Sequence, residues 1–311
     1  MRALFLATPN LTAARVLWRW LAAGHEVAEF WYPEKLGRHG WRRDRRIPLL
    51  APEWSVSAAL RRHGITARAV PPPAKNEPEL IELAARLGAD VLICCYFPYR
   101  IGPGLLDLFG PRAVNFHPAL LPAYRGPMPT LAMMLAGESH RHGGMTLHVL
   151  SPEMDAGAII AATPVPTEAD DTLLQWRLGL ARAAGELAAG PLPAFLAGAT
   201  VAQPQAGQAS YIKTLAKEWA EIDRQWSSMR VRETLRRLGS QHPLRVAIDA
   251  DRVTVKGFVR RLGPPTGQPA LRSRRRLTLD VADGRIVLAT RRRYKAWQSL
   301  RELLTIARAP L

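Results

Sequence analysis

Residues 2–31 read RALFLATPNLTAARVLWRWLAAGHEVAEFW. Arg2 to Thr8 is a short apolar run that stops at Pro9, as a buried strand does. From Leu11 onward apolar residues recur at helical spacing (Val16, Leu17, Trp20, Leu21), and Gly24 supplies a helix stop. His25 to Trp31 then predicts a second strand. Strand, helix and strand in this order mark a parallel sheet with crossover helices.

The alternation continues downstream. The pattern predicts helices over Ser55–Gly64, Glu77–Gly88 (behind an Asn76 cap) and Thr172–Ala189, and strands over Ala67–Val70, Val91–Tyr96, Ala113–His117 and Met145–Leu150. The expected fold class is α/β, a Rossmann-like, doubly wound, mainly parallel sheet. Residues 33–52 interrupt it with a polar, basic stretch, 34–46, expected to be a loop that carries Arg42 and Arg43 beside Trp41. A Pro-, Ala- and Gly-rich segment from Pro191 to Gln208 marks a boundary. We therefore expect a catalytic domain over 1–207 and a smaller, basic, β-rich domain over 208–311. The latter would hold a helix at Met229–Leu238 and strands at Leu244–Ile248, Arg252–Val259, Arg274–Val281 and Arg285–Thr290, read as a small OB-like barrel.

Of the 311 residues 48% are hydrophobic and 22% charged, which is the make-up of an ordinary globular chain. No apolar run approaches the roughly 20 residues that cross a bilayer, and Met1–Ala7 is too short an apolar run for a signal peptide. Two adjacent cysteines, Cys94 and Cys95, suit a reducing cytoplasm and cannot build a cysteine metal cage. The net charge is +17, and residues 212–311 carry most of it, with 23 Lys/Arg against 9 Asp/Glu. Such a region invites a polyanion, usually a nucleic acid. Arg- and Ala-rich usage in a GC-rich genome would give the same excess without a partner.

The chemistry gathers in Asn115-Phe116-His117-Pro118-Ala119-Leu120-Leu121-Pro122-Ala123-Tyr124-Arg125-Gly126 and in Met154-Asp155-Ala156-Gly157. An amide can hold a carbonyl oxygen, an imidazole can move a proton, and a carboxylate can set the imidazole's charge. Together they suit acyl transfer to an amine. Taken singly, each has a plainer reading: His117 before a proline as a turn residue, Asp-Ala-Gly as an ordinary turn, and Cys94 and Cys95 as core. The spacing of His140, His142 and His148 does not make a metal site.

These motifs, with Gly137-Glu138 and Gly144-x-Thr146-x-His148, resemble the signature of the formyltransferase family, which moves a formyl group from 10-formyltetrahydrofolate to an amine. Its members act on methionyl-tRNA, on nucleotide-linked amino sugars or on glycinamide ribonucleotide. The resemblance implies that Asn115 holds the formyl oxygen, that His117 moves protons as the amine attacks, and that Asp155 pairs with His117 and raises its pKa. It implies a folate site at Cys95, Tyr96, Phe97, Arg100, Leu120, Leu121, Pro122 and His148, and an acceptor site at Tyr124, Arg125, Gly126, Arg42 and Arg43. It calls for no metal. Ala119 stands where the family commonly has serine, and Ala7 where the tRNA-formylating branch has glycine.

Two acceptors compete. The basic stretch 34–46 and the basic C-terminal region, with Arg274-Arg275-Arg276 and Arg291-Arg292-Arg293-Tyr294-Lys295 as phosphate contacts, favour initiator tRNA. The loop Cys95-Tyr96-Phe97-Pro98-Tyr99-Arg100 resembles instead the aromatic-rich loop of the sugar-formylating branch. A retired scaffold that only binds RNA is a third reading, and the intact Asn115, His117 and Asp155 speak against it. Hydrolysis of the formyl donor is a fourth, since water can stand in for the amine.

Overall fold

The computed structural model describes residues 1–47, 50–168, 170–212, 221–238, 242, 244–290 and 295–311. Five strands run parallel: β1 (Arg2–Ala7), β2 (Glu26–Pro33), β3 (Ala67–Val70), β4 (Val91–Cys95) and β5 (Ala113–His117). Two more, β6 (Gly144–Val149) and β7 (Ile159–Pro164), add antiparallel beside β5, giving the order β3-β2-β1-β4-β5-β6-β7. The central strands β4 and β5 are buried at every residue. Helices that cover a parallel sheet on its faces demand such unbroken burial; the apolar run Val91–Cys95 supplies it, and β5 does so with Ala113, Val114 and Phe116 around the polar Asn115.

The helices begin and end on local signals. Asn10 caps helix Leu11–Ala22 by accepting from the Ala13 N–H at 2.9 Å. Ser55 caps helix Val56–His63, and Gly64 closes it in the left-handed region. Pro73–Arg86 is two helical stretches joined at a kink on Asn76 (φ −137°, ψ 29°), so the second stretch begins after Asn76 and a further turn precedes it.

One expectation is corrected. Residues 34–46 are not a loop, because Glu34–Asp44 forms a helix. Its charge density hid two anchors. The Trp41 ring packs edge-on to Tyr32 at 5.3 Å and tilts against Phe30 at 6.1 Å. Asp44 is buried, and its carboxylate accepts from the Val56 and Ser57 N–H groups and from the Ser55 hydroxyl at 2.7, 2.8 and 3.0 Å. It thereby satisfies the open donors of the next helix, at about 1.5–3 kcal/mol for each bond to a charged group. Gly40 is needed where the helix meets the turn that follows β1, since a Cβ there would lie 2.6 Å from the Pro9 carbonyl oxygen.

The described residues divide into two compact units, Met1–Thr167 with Arg177–Lys213 and Leu303–Leu311, and Glu168–Trp176 with Thr214–Glu302. The second is β-rich and antiparallel. It pairs β8 (Leu244–Ile248) with β9 (Asp251–Val255), and joins β10 (Gly257–Gly263), β11 (Leu271–Arg272), β12 (Arg276–Val281) and β13 (Gly284–Ala289) in the order β10-β13-β12-β11. The single strand expected over 252–259 is thus two, divided at Lys256, where the chain passes from the smaller sheet to the larger. Arg260, Arg274, Arg275 and Arg276 are exposed in this unit, while residues 291–294 of the second basic run lie outside the described residues. No described helix is long and apolar enough to cross a membrane.

Candidate active site

Strand alternation sets the first two groups. Asn115 and His117 are two residues apart on β5, so their side chains leave the same face. The antiparallel pairing with β6 puts His148 opposite Asn115 and Thr146 opposite His117. Asn115, His117 and His148 are all buried. The fourth group arrives from the loop between β6 and β7, where Asp155 takes a left-handed backbone (φ 54°). Gly157 makes that turn possible, since a Cβ there would fall 1.9 Å from the Val149 carbonyl oxygen.

The hydrogen bonds assign the protons. His117 Nε2 lies 2.9 Å from the Tyr124 carbonyl oxygen, which can only accept, so Nε2 carries a hydrogen. His117 Nδ1 then faces Asp155 Oδ2 at 3.5 Å. His148 Nδ1 donates to the Val149 carbonyl at 2.9 Å, which leaves its Nε2 as an acceptor. Asn115 Nδ2 donates one hydrogen to that nitrogen at 3.1 Å and the other to Asp155 Oδ1 at 3.3 Å. Both neighbours accept, so the amide has one orientation.

Charge follows from burial. For His117, desolvation outweighs the pull of Asp155 and, with the neighbouring His148, holds the imidazole below its ordinary value. The carboxylate alone would have raised it, as the sequence led one to expect; enclosure reverses the sign. Burial pushes Asp155 up, yet His117, His148 and the Gly126 N–H, which Oδ2 accepts at 2.8 Å, together hold it well below the usual carboxylate range. Near neutral pH the pair is therefore an uncharged imidazole beside a carboxylate. A proton arriving at His117 Nδ1 would be received by both.

The three groups border a cavity of about 310 Å³. Phe97, Ile101, Leu131, Leu150 and Met154 make much of its wall, and Phe97 stands edge-to-face on Tyr99 at 5.4 Å. An apolar slot of this size with polar groups concentrated at one place fits a flat heteroaromatic ring with its reactive arm turned toward Asn115 and Asp155. Of the residues that the sequence suggested for folate and acceptor, Tyr96, Phe97, Arg100 and Gly126 line the cavity. Cys95, Leu120, Leu121, Pro122, Tyr124 and Arg125 do not, and His148 sits behind Asn115 with no exposed surface. Arg42 and Arg43 are exposed on helix Glu34–Asp44. Ala119 is fully buried away from the cavity, so the departure from serine there removes nothing from its wall.

Cys94, rather than its neighbour Cys95, reaches the cavity, with its thiol pushed up to about 12 by burial. Several other participants gave no signal in the sequence. Arg177, one of two arginines on the amphipathic helix Leu173–Ala189, lines the cavity too. Tyr124 takes part through its carbonyl, which no side-chain motif can reveal. Gln205 comes from the segment read as a boundary and Ser210 from just beyond it, and they hydrogen-bond the loops around Asp155 and Tyr124.

The comparisons agree with this geometry. The family described as "Formyl transferase" matches residues 54–186. A methionyl-tRNA formyltransferase of Heliobacterium modesticaldum is 33% identical over 230 residues, 73% of this chain and 68% of the relative. One of Chloroflexus aurantiacus is 32% identical over 229 residues, 73% and 69%. Among solved structures, HypX from Aquifex aeolicus in complex with tetrahydrofolic acid aligns with TM-score 0.65 at 17% identity, covering 93% of this chain, which spans 43% of HypX. An N-formyltransferase from Helicobacter canadensis, bound to folinic acid and dTDP-3-aminofucose, aligns with TM-score 0.60 at 16% identity, covering 93% and 99%. These two likenesses speak to the fold.

Proposed function

This chain belongs to the formyl transferase family, and we propose that it transfers the formyl group of 10-formyltetrahydrofolate to the amino group of methionyl-tRNA in the cytoplasm. The observation that carries the chemistry is the Asn115–His117–Asp155 set, the first two buried and the third half-buried, at the edge of an apolar cavity. The acceptor rests on the relatives named methionyl-tRNA formyltransferase, which are matched over more than two thirds of their length.

In this reading the cavity holds the pterin end of the donor and aims the formyl carbon at the floor. Asn115 redirects one amide hydrogen, the long 3.3 Å bond to Asp155 being the easier to give up, onto the formyl oxygen. As the amine nitrogen bonds to the formyl carbon, its surplus proton passes to His117 Nδ1. Asp155 stabilises the imidazolium so formed, and the Tyr124 carbonyl keeps the ring from turning. Return of that proton to the donor's nitrogen lets the old carbon–nitrogen bond break, and the imidazole is neutral again. Burial serves this cycle because a His117 already charged could not take the proton.

The exposed Arg260 and Arg274–Arg276 of the basic C-terminal region would follow the tRNA backbone, with Arg42 and Arg43 near the acceptor end. Charged initiator tRNA should therefore be formylated, and its affinity should fall steeply with salt. For six phosphate contacts the loss between 50 and 200 mM is about 10³-fold. Rates with methionyl-tRNA and with a nucleotide-linked amino sugar, measured side by side across salt, decide the acceptor. Formylation of the sugar alone, independent of salt, would give the aromatic loop at Phe97 and Tyr99 precedence over the charge.

A further inference from the structure

We infer that Gln205 is the positioning residue that holds Asp155 against His117, an inference that rests on the reading above. The amide stands between two loops and is used on both sides. Its Nε2 donates to the Asp155 and Gly157 carbonyls, each at 2.8 Å, and its Oε1 accepts from Arg125 Nε and Nη2 at 3.1 and 2.8 Å. Two carbonyls demand a donor and a guanidinium fork demands an acceptor, so only an amide, in this one orientation, satisfies the place.

What the amide grips is a turn that is hard to keep. Asp155 is a non-glycine residue in the left-handed region, a conformation that persists only where the surroundings enforce it. The two carbonyls held by Gln205 flank its peptide and the next. Arg125, held on the other side, precedes Gly126, whose N–H is donated to Asp155 Oδ2. One side chain thus ties the backbone of the carboxylate to the loop that binds its oxygen. Gln205 is itself anchored, because Gln203, two residues before it, exchanges two backbone hydrogen bonds with Ile159 at 2.7 and 2.8 Å.

The test compares Gln205→Ala and Gln205→Glu with the unsubstituted full-length chain. Glutamate keeps an acceptor for Arg125 and adds charge to it, but turns an oxygen toward two carbonyls. If the grip on Asp155 is what matters, glutamate does no better than alanine. In both variants the Gly126 amide is expected to exchange its hydrogen about ten-fold faster. The kcat should fall by about 30-fold, with KM for the folate within about two-fold. In an Asp155→Asn background the Gln205→Ala change should cost little more, since the two act as one unit. Unchanged exchange at Gly126, wild-type activity in Gln205→Glu, or losses that multiply in the double variant would overturn the inference. The exchange measurement needs no acceptor. If the unsubstituted chain formylates neither methionyl-tRNA nor an amino sugar, the functional reading falls while the clamp is still judged.

Discussion

His117→Ala should lower kcat/KM for formyl transfer by about 1,000-fold or more, whichever amine is the acceptor. General acid–base catalysis contributes roughly 10²–10⁴-fold, and here the same ring must take the amine's proton and return it. Among the described residues no other group lining the cavity is placed to substitute. His148 is fully buried behind Asn115 with both ring nitrogens engaged, and Asp155 is held well below the usual carboxylate range, too weak a base for an ammonium proton. Alanine also strands the Tyr124 carbonyl that accepts from His117 Nε2. That costs about 1–3 kcal/mol of stability, so melting temperature should be read alongside rate. His117→Gln, whose Nε2 reaches the position of the ring Nε2 and can still donate to that carbonyl, keeps the loop while removing the base and should be as inactive. A loss of under ten-fold in a folded variant would mean that the proton travels elsewhere.

Asp155→Asn separates charge from shape. The substitution keeps the side-chain oxygen that accepts from the Gly126 N–H, so the loop should stay closed. What goes is the negative charge that raises His117 against its burial. Two results follow together. The rate should fall by about 10²–10³-fold, because the imidazolium formed during transfer loses its stabilising partner. The acid limb of kcat/KM, which reports His117 in the free enzyme, should move to lower pH. Burial favours the neutral ring and Asp155 favours the charged one, so removing Asp155 leaves burial unopposed. Even in the unsubstituted enzyme that limb should lie below the ordinary histidine value of 6.5. An upward shift in Asp155→Asn would contradict the assignment, and an unmoved limb would place the titrating group elsewhere.

Much of the fold was legible because it rests on local rules. The alternation of apolar strand and amphipathic helix over residues 2–31 needed no distant partner, nor did the Ser55 and Gly64 caps. Helix Glu34–Asp44 was hidden because its stability lies in Trp41 and Asp44, whose partners Phe30, Tyr32 and Ser55–Ser57 belong to other elements. The site divides the same way. Asn115, His117 and Asp155 stood out by residue type and order. His148 entered as a folate contact, whereas its position follows from the register between β5 and β6, which no single strand encodes. Gln205 lies 50 residues from Asp155 in a stretch without periodicity, and only the fold brings the two together.

The enclosure of the cysteines has a practical consequence. The Cys94 thiol, pushed up to about 12, and the still more deeply enclosed Cys95 hold almost no thiolate at neutral pH. The native chain is therefore nearly silent to maleimide dyes. A single cysteine introduced on the exposed surface of the basic region, at Arg275 for instance, would take up a fluorophore alone, and its anisotropy would follow a bound polyanion with the folate cavity left unlabelled.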